Sequence, residues 1–278
     1  MSSIHVSDLT DERLDVYVRL TDRQLRSTLE PERAVTVVES PFALQVALQE
    51  GLEPLSFLLD ERHAGSILPL LDDVDPAVPV FLAPRALMSQ LVGFNVTRGI
   101  MGAFRRPRPR SVEELLSGAQ RIAVLEGLVD VSNVGAIFRS AAGLGMDALL
   151  LDSRCADPLS RRALRVSMGT VLQVPWATLP AEGEGAWPEG SIALLHEQGF
   201  HVAAMALVEG ATLLDSPALA AHERLALVFG SEGWGITERA LAACDEAVVI
   251  PMAHGVDSLN VAASSAVAFW QLRSQGQA

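Results

Sequence analysis

Residues 225–252 read LALVFGSEGWGITERALAACDEAVVIPM. The apolar run from Leu225 to Phe229 has the length and composition of a buried strand. It passes straight into Gly230, Ser231, Glu232, Gly233, Trp234 and Gly235. A helix is expected over 237–243 and a second apolar strand over 246–250, ending at Pro251. Strand, crossover helix and strand in that order argue a parallel sheet covered by helices.

Working outward, the same alternation recurs. Strands are expected near 121–126, 147–151 and 201–206, and helices near 133–144, 158–168, 190–199 and 259–273. PAEGEGAWPEGS at 180–191 reads as a loop. Toward the N-terminus, residues 11–30 have an amphipathic helical pattern. AVTVVES (34–40), PLSFLLD (54–60) and VPVFLAP (78–84) read as strands, and PFALQVALQEG and RALMSQLVG as helices. This is a second, smaller α/β unit. RRPRPRS at 105–111 cannot propagate a helix or donate ladder bonds well, so the domain boundary is placed there. Ser111 then offers an N-cap for the next helix.

Composition narrows the function. The net charge is −13 over 278 residues, with 21 cationic side chains, all Arg. A chain this acidic is not a general nucleic-acid binder, yet residues 98–110, RGIMGAFRRPRPR, hold five Arg and no acid. A second cluster comprises Arg154, Arg161, Arg162 and Arg165. No stretch reaches the length of a membrane span, and the N-terminus lacks a signal-peptide pattern. Cys155 and Cys244 have no metal-ligand spacing and read as free thiols of a reducing, cytoplasmic setting.

Three stretches carry chemistry. In 130–151, DVSNVGAIFRSAAGLGMDALLL, Asn133 is expected to cap a helix on which Gly135, Arg139, Ala142 and Gly143 share a face. Arg139 is the only charge between Asp130 and Asp147. In 225–235 the glycine spacing is G-x-x-G-x-G, not the G-x-G-x-x-G of dinucleotide sites, and no G-K-[ST] is present. In 250–270 a strand ends at Ile250, and Ser258, Leu259 and Asn260 lead into an Ala/Ser-rich helix, with Ser258 expected as its cap. Gly230 and the Ser258–Asn260 trio fall outside strand carboxyl ends, where open α/β sheets bind ligands.

Taken in order, SNVGAIFRSA, LVFGSEGWGI and VVIPMAHGVDSLNVAAS resemble the three motifs of the SpoU (TrmH) branch of the SPOUT RNA methyltransferases. RRALRVSMGTVLQVPW at 161–176 is similar to the family's connecting segment, and the resemblance covers roughly residues 120–273. Residues 34–105 resemble the family's ribosomal-protein-like substrate-binding domain, by pattern more than by motif.

The resemblance implies an α/β fold: a small N-terminal domain (1–105), a linker (106–118) and a SpoU domain (119–278) whose C-terminal segment forms a trefoil knot. It implies a homodimer through the knot helices, S-adenosylmethionine as cofactor, no metal, and an RNA partner. Gly230, Ile250, Met252, Ser258 and Leu259 would line the cofactor pocket. The reaction would methylate a ribose 2′-hydroxyl, ribosomal RNA being favoured over transfer RNA. Arg139 would be the catalytic Arg, with Asn133, Glu232, Ser258 and Asn260 holding the site. Apart from the resemblance, the local concentration of cations leads to the expectation that Arg105, Arg106, Arg108, Arg110 and Arg165 contact RNA phosphate. Two departures stand out: Val131 replaces a frequent Pro, and Trp234 is unusual. The alternative is a non-catalytic RNA-binding protein on the same fold, which predicts drift at the five site positions; the chain shows none.

Overall fold

Every strand pairing in the C-terminal sheet is parallel. The structure, a computed structural model, describes residues 3–8, 10–18, 34–92 and 98–274. The chain divides into two compact units, one of residues 1–108 and 157–173, the other of residues 109–156 and 174–278.

The first unit carries strands β1 (Ser3–His5), β2 (Val35–Glu39), β3 (Pro54–Asp60), β4 (Val80–Ala83) and β5 (Ile100–Arg105), in the order β1-β4-β3-β5-β2. β3 runs parallel to β4 and antiparallel to β5, so the sheet is mixed. Helices α1 (Pro41–Gln49) and α2 (Arg85–Val92) accompany it. Phe57 and Phe104 meet edge to face at 6.0 Å inside the core. β5 is a correction, because IMGAFR lies inside the stretch read only as an arginine patch. Of the helix expected over 11–30, Glu12–Leu14 is a 3₁₀ turn and Asp15–Val18 a single helical turn; residues 19–33 lie outside the described residues.

The second unit holds α3 (Val112–Leu116), β6 (Arg121–Leu125), α4 (Val131–Leu144) and β7 (Ala148–Leu151). The connecting segment forms α5 (Arg161–Val166), which belongs to the first unit. The second unit resumes with β8 (Trp176–Thr178), α6 (Glu189–Glu197), β9 (His201–Met205), β10 (Thr212–Leu213), β11 (Leu225–Phe229), α7 (Glu238–Ala243), β12 (Glu246–Val249) and α8 (Val261–Leu272). The sheet order is β10-β12-β9-β11-β6-β7-β8. β6, β7 and β11 are buried along their whole length, which is why they read as unbroken apolar runs rather than alternating ones. β8 and β10 escaped the sequence reading because they have three and two residues. Ser111 does cap α3, in a reciprocal box with Glu114 at 3.2 Å both ways.

The units do not follow a single cut through the Pro/Arg stretch, because residues 157–173 fold with the N-terminal ones. Thr36 Oγ1 donates to the Leu159 carbonyl at 2.6 Å, and α5 packs on β2. Arg161 forms a buried ion pair with Glu39. Gly169, at φ +86°, lets the α1 backbone come close: a Cβ there would lie 3.3 Å from Ala43 Cα.

No helix among the described residues is long and apolar enough to cross a membrane. Burial pushes both the Cys155 and Cys244 thiols up to about 12, so neither is a reactive thiolate at neutral pH.

Candidate active site

The carboxyl ends of β9, β11 and β12 open onto a cavity of about 470 Å³. Met205, Leu207, Phe229, Val248 and Ile250 give it apolar walls. Gly230, Ile250, Met252, Ser258 and Leu259, the expected cofactor residues, all line it. Leu207, Gly230 and Ile250 lie just past their strands, so backbone polar groups there are outside the ladder and free to meet a ligand. The charged lining residues are Glu232 and Asp257, both acidic. The sequence reading did not include Asp257.

Glu232 sits on the loop between β11 and α7. Ser231 and Gly235 close that loop with two backbone bonds of 3.1 and 2.8 Å, with Gly235 at φ +67°. Gly230 has a different purpose from the one its position suggested. A Cβ on it would lie 2.2 Å from the Gly235 carbonyl carbon and 2.3 Å from Ile236 N. The glycine makes room for the chain's own return rather than chiefly for a ligand.

Two caps differ from expectation. Asp130, not Asn133, caps α4, accepting from Ser132 N at 2.7 Å. Asn133 is inside the first turn and buried, which frees its amide for tertiary work. Asn260, not Ser258, caps α8, its Oδ1 accepting from Ala262 N at 3.0 Å and Ala263 N at 3.3 Å. Ser258 lies too far ahead of Val261 to reach those groups; its Oγ donates to Asp257 Oδ1 at 3.1 Å.

Three of the expected residues meet in one network. Asn133 Nδ2 donates to Glu232 Oε1 at 3.0 Å. Asn260 Nδ2 donates to Asn133 Oδ1 at 3.0 Å and also to Glu232 Oε1. The trio joins the start of α4, the glycine loop and the start of α8, and α4 and α8 pack side by side. Glu126, at the end of β6, was not anticipated. Its buried carboxylate accepts from Trp187 Nε1 (2.9 Å), Thr237 Oγ1 (2.8 Å) and Thr237 N (2.9 Å). It thereby anchors the far end of the glycine loop. An acid directly after a buried strand was the available signal.

The SpoU rRNA Methylase family model matches residues 120–270. The chain belongs to this family. An uncharacterized tRNA/rRNA methyltransferase of Mycobacterium bovis is 39% identical over 272 residues, 98% of this chain and 92% of that protein. A 23S rRNA (guanosine-2′-O-)-methyltransferase of Escherichia coli, RlmB, is 27% identical over 82% of this chain and 94% of its own. Among solved structures, the AdoMet-bound rRNA methyltransferase of Sinorhizobium meliloti superposes with a TM-score of 0.79, at 20% identity and 97% coverage of both chains.

In this SpoU-family chain, Arg139 stands apart from the network. It is exposed, its side chain has no hydrogen bond or ion pair among the described residues, and it does not line the cavity. Six helical positions place it about 120° around and about 9 Å along α4 from Asn133. The open stripe of α4 is Ser132, Ala136, Arg139 and Gly143, while Gly135 faces inward. The other arginines divide. Arg105 is held by Glu53 at 2.8 Å and Arg106 by both oxygens of Asp157 at 2.9 and 2.6 Å. Arg165 lies 3.7 Å from Glu39. Arg108 and Arg110 are exposed. A count along the sequence missed the first three because their acids come from distant positions.

Proposed function

We propose that this protein transfers a methyl group from S-adenosylmethionine to a ribose 2′-hydroxyl of ribosomal RNA, in the cytoplasm. The observation that carries this is the Asn133–Glu232–Asn260 network at the edge of a cavity bounded by strand carboxyl ends. The cavity suits the cofactor. Pockets for small molecules run from about 300 to 1,000 Å³, and this one is about 470 Å³. Its two charged lining residues are carboxylates, which favour a sulfonium cation and disfavour a phosphate-bearing nucleotide. Gly230, Ile250, Met252, Ser258 and Leu259 would hold it. Bound there, S-adenosylmethionine supplies an electrophilic methyl group.

The protein's own groups do the rest. Asn133 and Asn260 fix the Glu232 carboxylate by hydrogen bonds. Arg139 serves by gripping a substrate phosphate and stabilising the developing alkoxide as the 2′-hydroxyl proton leaves to solvent. Trp234, 94% exposed on the closed glycine loop, offers an unpaired base a stacking surface. Arg108 and Arg110 contact phosphate from the remaining arginine stretch. The first unit recognises the RNA.

The reading includes a homodimer. Ala263, Val267 and Trp270 form an exposed apolar stripe on α8, and small residues surround Arg139 on the open face of α4. Stripes of this kind mark subunit contacts. That the RlmB relative is named for 23S rRNA favours a ribosomal substrate here.

The test is methyl transfer from labelled S-adenosylmethionine into unmodified ribosomal and transfer RNA. Alkali-resistant label in ribosomal RNA, lost in Arg139→Ala, is the expected result. No label in either RNA, with cofactor binding intact, would sink the catalytic reading and favour an RNA-binding role.

A further inference from the structure

At the opposite pole of the same sheet, three histidines and two acids gather around the amino ends of β9 and β12. His201 opens β9, Glu246 opens β12, and His222 lies in the turn before β11. One ligand atom from each of these three lies within 4.8 Å of the other two. His201 Nε2 is 2.7 Å from Glu246 Oε1, and its other ring nitrogen is 3.6 Å from Asp245 Oδ2. Asp245 also meets His196 Nε2 at 3.1 Å.

We infer that His201, His222 and Glu246 form a binding site for zinc or a similar late first-row divalent cation. Two imidazoles and a carboxylate are the donor set of three-ligand zinc sites, with water completing the coordination. A metal-bound imidazole ordinarily gives its second N–H to a carboxylate, which fixes the ring; Asp245 stands on that side of His201. The nearby cations do not compete for Glu246. Arg224 is spent on the carbonyls of Ala119, Gln198 and Leu116 and lies over the Phe200 ring at 4.3 Å. Arg121 donates to the carbonyls of Leu272 and Glu223 at 2.8 Å.

One movement is required. The His201 and His222 rings are stacked at 3.7 Å and 5°, whereas a shared ion lies in the plane of each ring. His222 therefore rotates out of the stack. No hydrogen bond among the described residues restrains its half-buried ring. Imidazole ligation requires the coordinating ring nitrogens to be without a proton, so ion binding releases to solvent any proton held there. The bound ion would tie β9 and β12 to the turn before β11.

The test uses the full chain, stripped by a chelator and titrated with Zn²⁺ against a chromophoric chelator. One Zn²⁺ per chain is expected, with a rise in Tm. His222→Ala and Glu246→Gln, both outside the cavity, should each weaken binding at least about tenfold and abolish the Tm rise. Asp245→Asn should weaken it roughly 10- to 100-fold, as loss of an orienting partner does. The absence of saturable one-to-one binding, or binding that His222→Ala and Glu246→Gln both leave unchanged, overturns the site.

Discussion

Asn260 works with both ends of its amide. Oδ1 caps α8, while Nδ2 holds Asn133 and Glu232. The two duties can be separated. Asn260→Ala loses both; the cap alone is worth about 1 kcal/mol, so Tm should fall by roughly 2–4 °C in a domain of this size. Asn260→Asp keeps a capping acceptor but sets a second carboxylate against Glu232. It should stay closer to the parent in Tm while losing methyl transfer as severely as the Ala variant. Calorimetry beside the transfer assay reads both, and equal Tm losses in the two variants would refute the division. Gly230 admits no such partition. A Cβ there meets backbone at 2.2 Å, and backbone cannot swing aside as a side chain can. Gly230→Ala should displace the glycine loop and abolish S-adenosylmethionine binding, measured by calorimetric titration. Retained affinity would show that the loop relaxes without disturbing the cavity.

Among the elements, α5 shows what periodicity tells and what it conceals. Its helical pattern was visible, but not its place, because a helix sequence does not name the sheet that will receive it. Arg161 and Glu39 decide the matter: both are buried, 122 positions apart, and paired. Removing Arg161 leaves the buried Glu39 carboxylate facing the more exposed Arg165, 3.7 Å away, at a cost of up to about 3–5 kcal/mol. Arg161→Ala should lower the stability of the first unit by that order in urea unfolding. The double replacement Arg161→Met with Glu39→Met should recover most of it. If the single variant unfolds like the parent, the pair does not fasten the segment. The same logic explains the rest of the comparison with sequence. β6, β7, β9 and β11 were legible because burial on both faces demands apolar runs. β5 was overlooked because the arginines around it drew a charge-based reading, although Ile100–Phe104 are buried. At the site, the residue types were legible from the motifs, but their roles were not. Whether an Asn caps a helix or bridges two depends on one or two positions of register, and on a Glu232 that is 99 residues away from Asn133.

For the whole molecule the problem is charge. A protein of net charge −13 that binds RNA must do so through a few cations that are not already neutralised. Arg105 and Arg106 meet Glu53 and Asp157, so engaging phosphate would mean giving up an ion pair first. Among the described residues Arg108 and Arg110 form no ion pair and are exposed. Counterion release makes this measurable, since each phosphate contact adds roughly one unit to the slope of log affinity against log salt. Arg108→Ala and Arg110→Ala should each lower that slope by about one, with a uniform loss of affinity across RNA sequences. Arg105→Ala and Arg106→Ala should leave the slope nearly unchanged. Because Arg106 is the more buried of the two, its loss should appear instead in the stability of the first unit. A slope that falls equally for all four would mean that RNA opens the existing ion pairs and the stretch acts as one patch. A slope indifferent to all four would move the RNA contact elsewhere on the protein.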